Sequence, residues 1–195
     1  MKLPLIFLLV LPLVCYSQKG PRSAGITLSF PWVNSYVYYD YKTSKNASVT
    51  GFFGIGGSVF YKEGSNKVSL NAGYTSSLPV PIGPFCRDNE VPFSEVLASF
   101  LEVIYHKNIY KRINLITGVS YVRHEYLYHD YLNPSANLAE FDRTVGITLG
   151  GEYHFTGKFT GAIFYRPAIV SIDRKQYWHL ISIDGRIDLR FWKRK

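Results

Sequence analysis

The sequence contains very little cysteine: Cys15 and Cys86 are the only two among 195 residues. We expect Cys15 to leave with an N-terminal leader, so the mature chain keeps Cys86 alone. A single cysteine excludes an intrachain disulfide and any metal site built from several cysteines.

Long hydrophobic runs are missing after the N-terminus. No later stretch approaches the roughly 18 consecutive apolar residues that a transmembrane helix needs. The one apolar run, from Leu3 to Val14, is too short for such a helix and is interrupted by Pro4 and Pro12. A membrane-spanning helix is therefore not expected in this chain.

The N-terminus instead has the composition of a secretory signal peptide. Lys2 precedes the apolar run, and small residues occupy the −3 and −1 positions of a cleavage site after Ser17. We predict a signal peptide over residues 1–17 and a single domain over residues 18–195. Two alternatives stay open: a buried N-terminal strand or helix, and lipidation at Cys15. A lipoprotein signal, however, has small residues just before its cysteine, where this chain has leucine and valine.

Acidic residues are outnumbered. The chain has 14 Asp and Glu against 22 Lys and Arg, a formal net charge of +8 that becomes +7 when Lys2 is removed. Excess positive charge suits nucleic acid, a membrane surface or a solvated face. An exported chain does not meet nucleic acid, so we expect no partner of that kind.

Alternation with a period of two residues is the clearest pattern present. Apolar residues from Ile181 to Phe191 fall on one face, and the Ser, Asp and Arg residues between them fall on the other. A helix would mix these sets, whereas a strand separates them. The segment Thr144 to Phe155 repeats the pattern, and six others show it less sharply. We predict eight strands over residues 24–33, 51–61, 67–77, 94–106, 110–124, 143–155, 158–171 and 176–191.

The segment 94–106 is apolar on both faces and is compatible with a helix. We assign it as a strand because β-branched and aromatic residues are frequent in it. In that strand Glu102 is predicted to point alone to the polar face.

The connectors alternate in length, which is typical of outer-membrane barrels with long loops outside the cell and both termini in the periplasm. Eight strands of this length can close on themselves, and in lipid they must, because an open edge leaves backbone groups unsatisfied. The predicted fold is all-β, an eight-stranded antiparallel up-and-down transmembrane β-barrel. Its tight turns are predicted at 62–66, 106–109 and 156–158, and its long loops at 34–50, 78–93 and 125–142.

The polar face of these strands decides which side faces outward. It carries small residues and charges of both signs, which suit the narrow interior of an eight-stranded barrel because they can pair there. The heavy aromatic content, 16 Tyr, 13 Phe and 3 Trp, suits interfacial belts on the other face. The predicted lumenal charge network consists of Glu102, Glu152, His154, Arg166, Asp184, Arg186, Asp188 and Arg190.

The leader, the eight strands and the alternating connectors resemble the small outer-membrane β-barrel proteins of the OmpA transmembrane type. The last strand is similar to their C-terminal assembly signal, formed here by Gly185, Leu189 and Phe191. In that signal the glycine lies opposite the apolar residues and an aromatic residue ends the chain. Here Gly185 shares their face and four residues follow Phe191. The resemblance implies contact with outer-membrane lipid and insertion by the barrel-assembly machinery, but no specific activity.

Lipid-modifying chemistry needs a nucleophile with its base, and the candidates are poor. Ser120 and His124 share one face of a strand but lie about 13 Å apart at roughly 3.3 Å per residue, and they face the lumen. Glu152 and His154 form an acid–base pair in sequence, although such a pair is more often a lumenal polar contact.

A group of histidines and acids near the third long loop has the residue types of a metal site, but solvated loops often have the same composition. We assign no catalytic, cofactor-binding or metal-binding residue and expect no cofactor. The group comprises His124, Glu125, His129 and Asp130.

Two loop segments, Tyr36 to Tyr41 and Tyr126 to Tyr131, share a Tyr/Asp composition. Tyrosine is frequent at binding surfaces, so these segments are compatible with an extracellular partner. The alternative is that they continue the strands and form the upper aromatic girdle.

We predict a monomeric, non-enzymatic integral protein of the bacterial outer membrane with a structural or surface-interaction role and no open pore. An outer-membrane lipid-modifying enzyme, acyl hydrolase or acyltransferase, is the second hypothesis. A soluble periplasmic lipocalin-like barrel that binds a ligand in an apolar interior is the third.

Overall fold

A computed structural model describes residues 20–40, 45–77, 93–128, 139–173 and 176–194. Its regular structure is entirely β. Within these residues no helix is long and apolar enough to cross a membrane. The strands are β1 (Arg22–Asp40), β2 (Lys45–Phe52), β3 (Gly54–Glu63), β4 (Asn66–Ser76), β5 (Phe93–Tyr110), β6 (Ile113–Tyr128), β7 (Ala139–His154), β8 (Phe159–Ser171) and β9 (Gln176–Arg194).

The strands form one antiparallel sheet that closes on itself. Neighbours from β3 to β9 pair in sequence order, and β9 pairs back to β1. Both β2 and β3 pair with β1, β2 with its second half and β3 with its first. The two short strands β2 and β3 therefore lie end to end and together take the place of one strand in the barrel wall, so the wall is eight strands around. The predicted eight-stranded antiparallel up-and-down fold is confirmed.

Phe53 separates β2 from β3. Its backbone has a φ of 73°, a left-handed value that is uncommon outside glycine, and its side chain is exposed. Its amide still donates to the Trp32 carbonyl at 3.3 Å, and its carbonyl accepts from the Ser76 amide at 3.2 Å. The break is a local bulge that keeps the wall hydrogen-bonded.

Several strands run further than the sequence indicated. β1 extends to Asp40 where a loop was predicted from residue 34, and β6 extends to Tyr128 where a loop was predicted from residue 125. The turn predicted at 106–109 is part of β5, and the chain turns instead at Lys111 and Arg112. Most of the first predicted loop and the beginning of the third are therefore strand.

Burial alternates along the strands. In β5, for example, Leu101 and Val103 are exposed, whereas Glu102 and Ile104 are buried. An outward apolar band with polar residues inside is the arrangement of a barrel in lipid and the reverse of a soluble one. The third hypothesis, a lipocalin-like barrel with an apolar interior, is therefore wrong.

The two ends of the barrel differ. At one end, called here the terminus end, β1 begins and β9 finishes, and three tight turns join β3 to β4, β5 to β6 and β7 to β8. At the other, called the loop end, are the strand ends that flank residues 41–44, 77–92, 129–138 and 172–175 in the sequence.

Candidate functional site

The middle of the lumen is occupied by an ion pair between Arg166 on β8 and Glu102 on β5. Arg166 Nε lies 2.7 Å from Glu102 Oε1, and Arg166 Nη2 lies 3.1 Å from Oε2. This two-point contact is the strongest geometry available to an arginine and a carboxylate. Both side chains are at most 1% exposed, so water does not screen the pair.

Neighbouring groups complete the coordination of this pair. Thr148 Oγ1 donates to Glu102 Oε1 at 2.6 Å, and Arg166 Nη1 donates to Ser182 Oγ at 2.6 Å. The guanidinium carbon of Arg166 lies 4.5 Å from the ring centre of Phe100 and 4.7 Å from that of Phe164. The cation is thus held between two aromatic faces, a favourable arrangement in a dry interior.

Glu152 on β7 is the centre of a second cluster, nearer the terminus end. Arg186 Nη1 lies 3.2 Å from its Oε2, and Asn114 Nδ2 donates to its Oε1 at 2.6 Å. His106 Nδ1 lies 3.2 Å and His154 Nε2 3.5 Å from the same Oε1. His106 Nδ1 makes no hydrogen bond among the described residues, so its contact with Glu152 is one of distance only.

Asp188 anchors a third buried contact. Lys67 Nζ lies 3.3 Å from its carboxylate, and Thr27 Oγ1 donates to it at 2.6 Å. The Lys67 ammonium also lies 4.5 Å from the ring centre of Phe60. Asp184, further along β9, accepts from Ser29 Oγ at 2.8 Å. Buried charges are tolerated when they are paired and hydrogen-bonded, as Lys67 and Asp188 are. Asp184 differs, because its Oδ1 meets no hydrogen-bond donor among the described residues.

The predicted network residues do not all occupy the same environment. Glu102, Glu152, Arg166, Asp184, Arg186 and Asp188 are buried in the lumen. His154 is half-buried at the terminus end, where its Nδ1 shares a hydrogen bond with Thr160 Oγ1 at 2.9 Å. Arg190 is exposed at the same rim, and its Nη2 donates to the Gly157 carbonyl at 3.4 Å.

Arg190 differs from the other arginines because of its depth in the barrel. It lies opposite Gly25 in the register with β1, at an irregularity where the pairing shifts before Ala24 meets Trp192. The side chain therefore emerges beyond the packed interior instead of entering it.

Ser69, His106 and Glu152 stand in the order of an acyl-hydrolase relay. Ser69 Oγ lies 3.0 Å from His106 Nε2, and His106 Nδ1 faces Glu152. A nucleophile must also meet a substrate carbonyl. The three residues are buried at 1–3% exposure inside the wall, so lipid outside the barrel does not reach Ser69. The arrangement serves here to connect three strands.

Aromatic side chains fill the lumen at the loop end. The Trp178 indole stacks on His124 at 4.4 Å and on Tyr126 at 5.2 Å between ring centres, and it contacts Tyr38 at 4.8 Å. Its Nε1 donates to Asp142 Oδ2 at 3.0 Å. We call Trp178, His124, Tyr126, Tyr38 and Asp142 the aromatic plug.

The aromatic plug corrects the interpretation of the tyrosine-rich segments. Tyr36, Tyr38 and Tyr126 point into the barrel and are at most 8% exposed, so they form neither a girdle on the wall nor a recognition surface. Tyr36 Oη donates to Thr75 Oγ1 at 2.6 Å across the interior. The remainder of the second segment, residues 129–131, lies outside the described residues, as does Tyr41.

Little free space remains in the part of the lumen that the described residues line. A cavity of about 10 Å³ lies in the middle of the barrel, near the lower limit for a single water molecule. It is bordered by Arg166, Asp184 and Arg186 together with small residues such as Gly56 and Ser29.

Glu152 and His154 are brought together, at 3.5 Å between Oε1 and Nε2, but the other candidate enzyme and metal residues that the structure describes are not. Ser120 Oγ donates to the Ile147 carbonyl at 3.5 Å, and His124 stacks on Trp178 instead of approaching Ser120. Glu125 pairs with Arg123 at 3.1 Å. His129 and Asp130 lie outside the described residues. Among those that are described, no group of three His, Cys, Asp or Glu side chains is arranged to hold a metal.

The three residues of the predicted C-terminal assembly signal face outward. Leu189 and Phe191 are exposed on the wall, Phe191 the more so at 71%. Gly185 lies under the Trp32 indole of β1, where an added Cβ would stand 2.9 Å from Trp32 Nε1. Gly185 thus lets an aromatic ring cover the seam between the first and last strands.

Sequence reasoning missed Lys67, His106, Asp142 and Trp178 as interior residues. A signal existed for two of them, because Lys67 alternates with Ser69 and Asn71, and His106 lies four residues from Glu102 on the same face. The expectation that Glu102 stands alone on its face was therefore wrong. Asp142 lies at a strand end that the sequence assigned to the third long loop. Trp178 lies at the start of the last strand, where the alternation is weak.

No protein-family model and no curated protein matches the sequence. The structure is similar to the crystal structure of neisserial surface protein A (NspA), with a TM-score of 0.56 and 10% identity over 85% of this chain and 99% of that one. Ail, the attachment invasion locus protein of Yersinia pestis, gives a TM-score of 0.48 at 12% identity, covering 89% of this chain and 100% of Ail. The likeness to NspA supports the fold of a closed antiparallel β-barrel.

Proposed function

We propose that this chain is a monomeric, non-enzymatic protein of the bacterial outer membrane that uses a closed, side-chain-filled barrel to present its loops at the cell surface. Its role is structural or one of surface interaction. NspA, which has a similar fold, is named as a surface protein. The lumen carries no solute and no catalytic centre in this proposal.

The filled lumen is the observation that carries the proposal. Three buried charge clusters, centred on Glu102, Glu152 and Asp188, occupy the middle and the terminus end. The aromatic plug occupies the loop end. A solute would have to break ion pairs of low exposure to pass, and breaking one buried pair costs about 3–5 kcal/mol.

Planar-bilayer recording tests the absence of a pore. Purified wild-type protein should insert without stable, porin-like conductance. Such conductance, at a level that scales with the amount of folded protein, would overturn the filled lumen and make the protein a channel.

Lipid-modifying activity is tested separately. Mass spectra of lipid A and phospholipids from cells with and without the gene should be identical. The opposite result would be a mass difference of one acyl chain that depends on the gene and disappears in a Ser69→Ala variant. It would identify Ser69, His106 and Glu152 as a catalytic relay and refute a purely structural role.

The orientation belongs to the proposal as well: both termini in the periplasm, the loop end outside, and a mature N-terminus at Gln18 made by signal-peptide cleavage. With Cys15 removed, Cys86 is the single cysteine. In the sequence it falls between β4 and β5, and the end of β4 and the start of β5 lie at the loop end. Contact of the C-terminal strand, with Gly185, Leu189 and Phe191, with the barrel-assembly machinery is part of the same proposal.

A membrane-impermeant maleimide should label Cys86 on intact cells. The matched control moves the cysteine to the opposite end as C86S/G157C, at a turn position where a new Cβ meets nothing within 4 Å. That variant should label only after the envelope is permeabilised. The reverse pattern would invert the orientation, and N-terminal sequencing that recovers Met1 from exported protein would refute cleavage.

A further inference from the structure

The terminus end carries a dense group of exposed cations. Two lie on the turn between β5 and β6, one on the turn between β7 and β8, and three on the final strand. We call this group the basic collar; it consists of Lys111, Arg112, Lys158, Arg190, Lys193 and Arg194.

The basic collar is continuous across neighbouring strands. The His154 amide donates to the Arg112 carbonyl at 2.9 Å, which joins the two turns. The Asp188 amide donates to the Lys158 carbonyl at 2.9 Å, which joins the second turn to β9. Arg190 in turn reaches Gly157. The cations therefore occupy one arc of the rim and are not scattered over the surface.

Acidic side chains do not balance this arc. In the described stretches at the terminus end, Glu152 and Asp188 are buried in the lumen. Glu63, next to the β9 end of the arc, is taken up by Arg22 at 2.9 Å, and Arg22 itself lies opposite Arg194. The loop end is different, because Arg123 pairs with Glu125 and Arg143 pairs with Asp173. Like charges held together without counter-charges need an anionic partner or solvent ions.

An aromatic belt adjoins the basic collar on the outer wall. Tyr153 and Phe155 are exposed and meet edge to face at 5.1 Å, and Phe159 follows at 6.0 Å from Phe155. Phe191 and Trp192 continue the belt on β9. Exposed aromatic rings mark the depth where acyl chains give way to headgroups. The cations beyond them therefore stand at the level of lipid phosphates.

We propose that the basic collar binds the phosphate groups of anionic phospholipids in the leaflet at the terminus end. The inference rests on the proposed membrane insertion and, for the identity of the leaflet, on the proposed orientation. Long cationic side chains place their charge in the headgroup layer while their stems lie along the aromatic belt. The neutralised, lipid-bound collar fixes the depth of the barrel.

The test uses the full mature chain in lipid nanodiscs made from equal amounts of phosphatidylcholine and phosphatidylglycerol. Competition between spin-labelled forms of the two lipids gives the preference of the barrel surface for the anionic one. Wild-type protein should prefer phosphatidylglycerol at low salt and lose that preference as salt rises. K111Q/R112Q should reduce the preference by up to about 25-fold, which is about fivefold for each cation in the headgroup layer.

The matched control is R123Q/R143Q, which removes two arginines at the other end. This variant should keep the wild-type preference for phosphatidylglycerol. Wild-type protein should also keep it when inorganic phosphate is added at constant ionic strength, because the ligand is a lipid headgroup and not a free ion. Circular dichroism and heat-modifiable migration on gels show that each variant is folded.

Three results would overturn the inference: no lipid preference in folded wild-type protein, an equal loss in R123Q/R143Q, or collar-dependent binding to purified peptidoglycan without any lipid preference. The last would assign the basic collar to the cell wall. Nanodiscs present the same lipids on both sides, so the result does not depend on orientation. An inverted Cys86 labelling pattern would change the leaflet and leave the lipid binding intact.

Discussion

Arg166 is the residue whose removal best tests the filled lumen. Replacing it with methionine keeps an apolar stem between Phe100 and Phe164 but deletes the guanidinium. Glu102 then keeps the hydrogen bond from Thr148 and loses both contacts to the cation. Ser182 loses its donor as well.

The magnitude follows from burial. The two side chains are at most 1% exposed, so the carboxylate left behind cannot be rehydrated without opening the barrel. Removing one partner of such a pair costs about 3–5 kcal/mol. Replacing both partners by uncharged groups of similar shape is far less costly, because no charge stays buried. E102Q/R166M should therefore be more stable than R166M.

The assay is reversible urea unfolding in lipid vesicles, followed by tryptophan fluorescence. The control is Arg123→Met, whose partner Glu125 is also exposed: their side chains are 48% and 43% exposed. Such surface pairs contribute about 0–1 kcal/mol, so this variant should unfold close to wild type. Two results would refute the reasoning. One is an equal loss of unfolding free energy in R166M and R123M. The other is an E102Q/R166M variant that is clearly less stable than R166M, because the two substitutions would then destabilise the barrel independently.

Three further outcomes are expected in the same assay. Leu149→Arg places a charge on the lipid-facing wall and should cost about 2–4 kcal/mol near the bilayer midplane, whereas Leu149→Ile should stay near wild type; equal stability would refute the facing assignment. Trp178→Ala should cost about 3–5 kcal/mol as a large buried side chain, and the exposed Trp32→Ala clearly less; the opposite order would contradict the aromatic plug. Gly150→Ala brings a Cβ within 2.2 Å of a backbone oxygen on the next strand, which should cost about 1–3 kcal/mol; Gly157→Ala, with open space around it, serves as the neutral reference.

Alternation was enough to predict the barrel because lipid outside and polar groups inside impose opposite residue types on the two faces. It failed where the two faces carry the same type. In the second half of β1, Tyr38 points inward and Tyr39 outward, so the pattern loses contrast and the segment resembles a loop. A register shift near Pro31 also reverses which positions face inward.

The pairing inside the lumen was beyond sequence reasoning for another physical reason. Glu102 and Arg166 are 64 residues apart and meet only because the barrel closes to a particular diameter. Which arginine meets which carboxylate depends on how high each residue lies along the barrel axis. Alternation along a strand shows only whether a side chain faces inward or outward, not its height. Arg190 shows the same limit, since it has the correct face but lies at the rim.

The seam between β1 and β9 has a consequence for the order of events in assembly. It pairs the two extremes of the chain, with Arg22 opposite Arg194 and Asp40 opposite Gln176. Every other contact of the wall joins strands that are close in sequence. The seam therefore cannot begin to form until the last strand is present, and until then two long edges stay unpaired. Joining such distant segments is entropically costly and slow. The contacts of Asp188 with Lys67 and Thr27 join β9 to β4 and β1, so they are completed only when the seam closes. The chain should therefore pass from an open, loosely held sheet to the finished barrel in one late step.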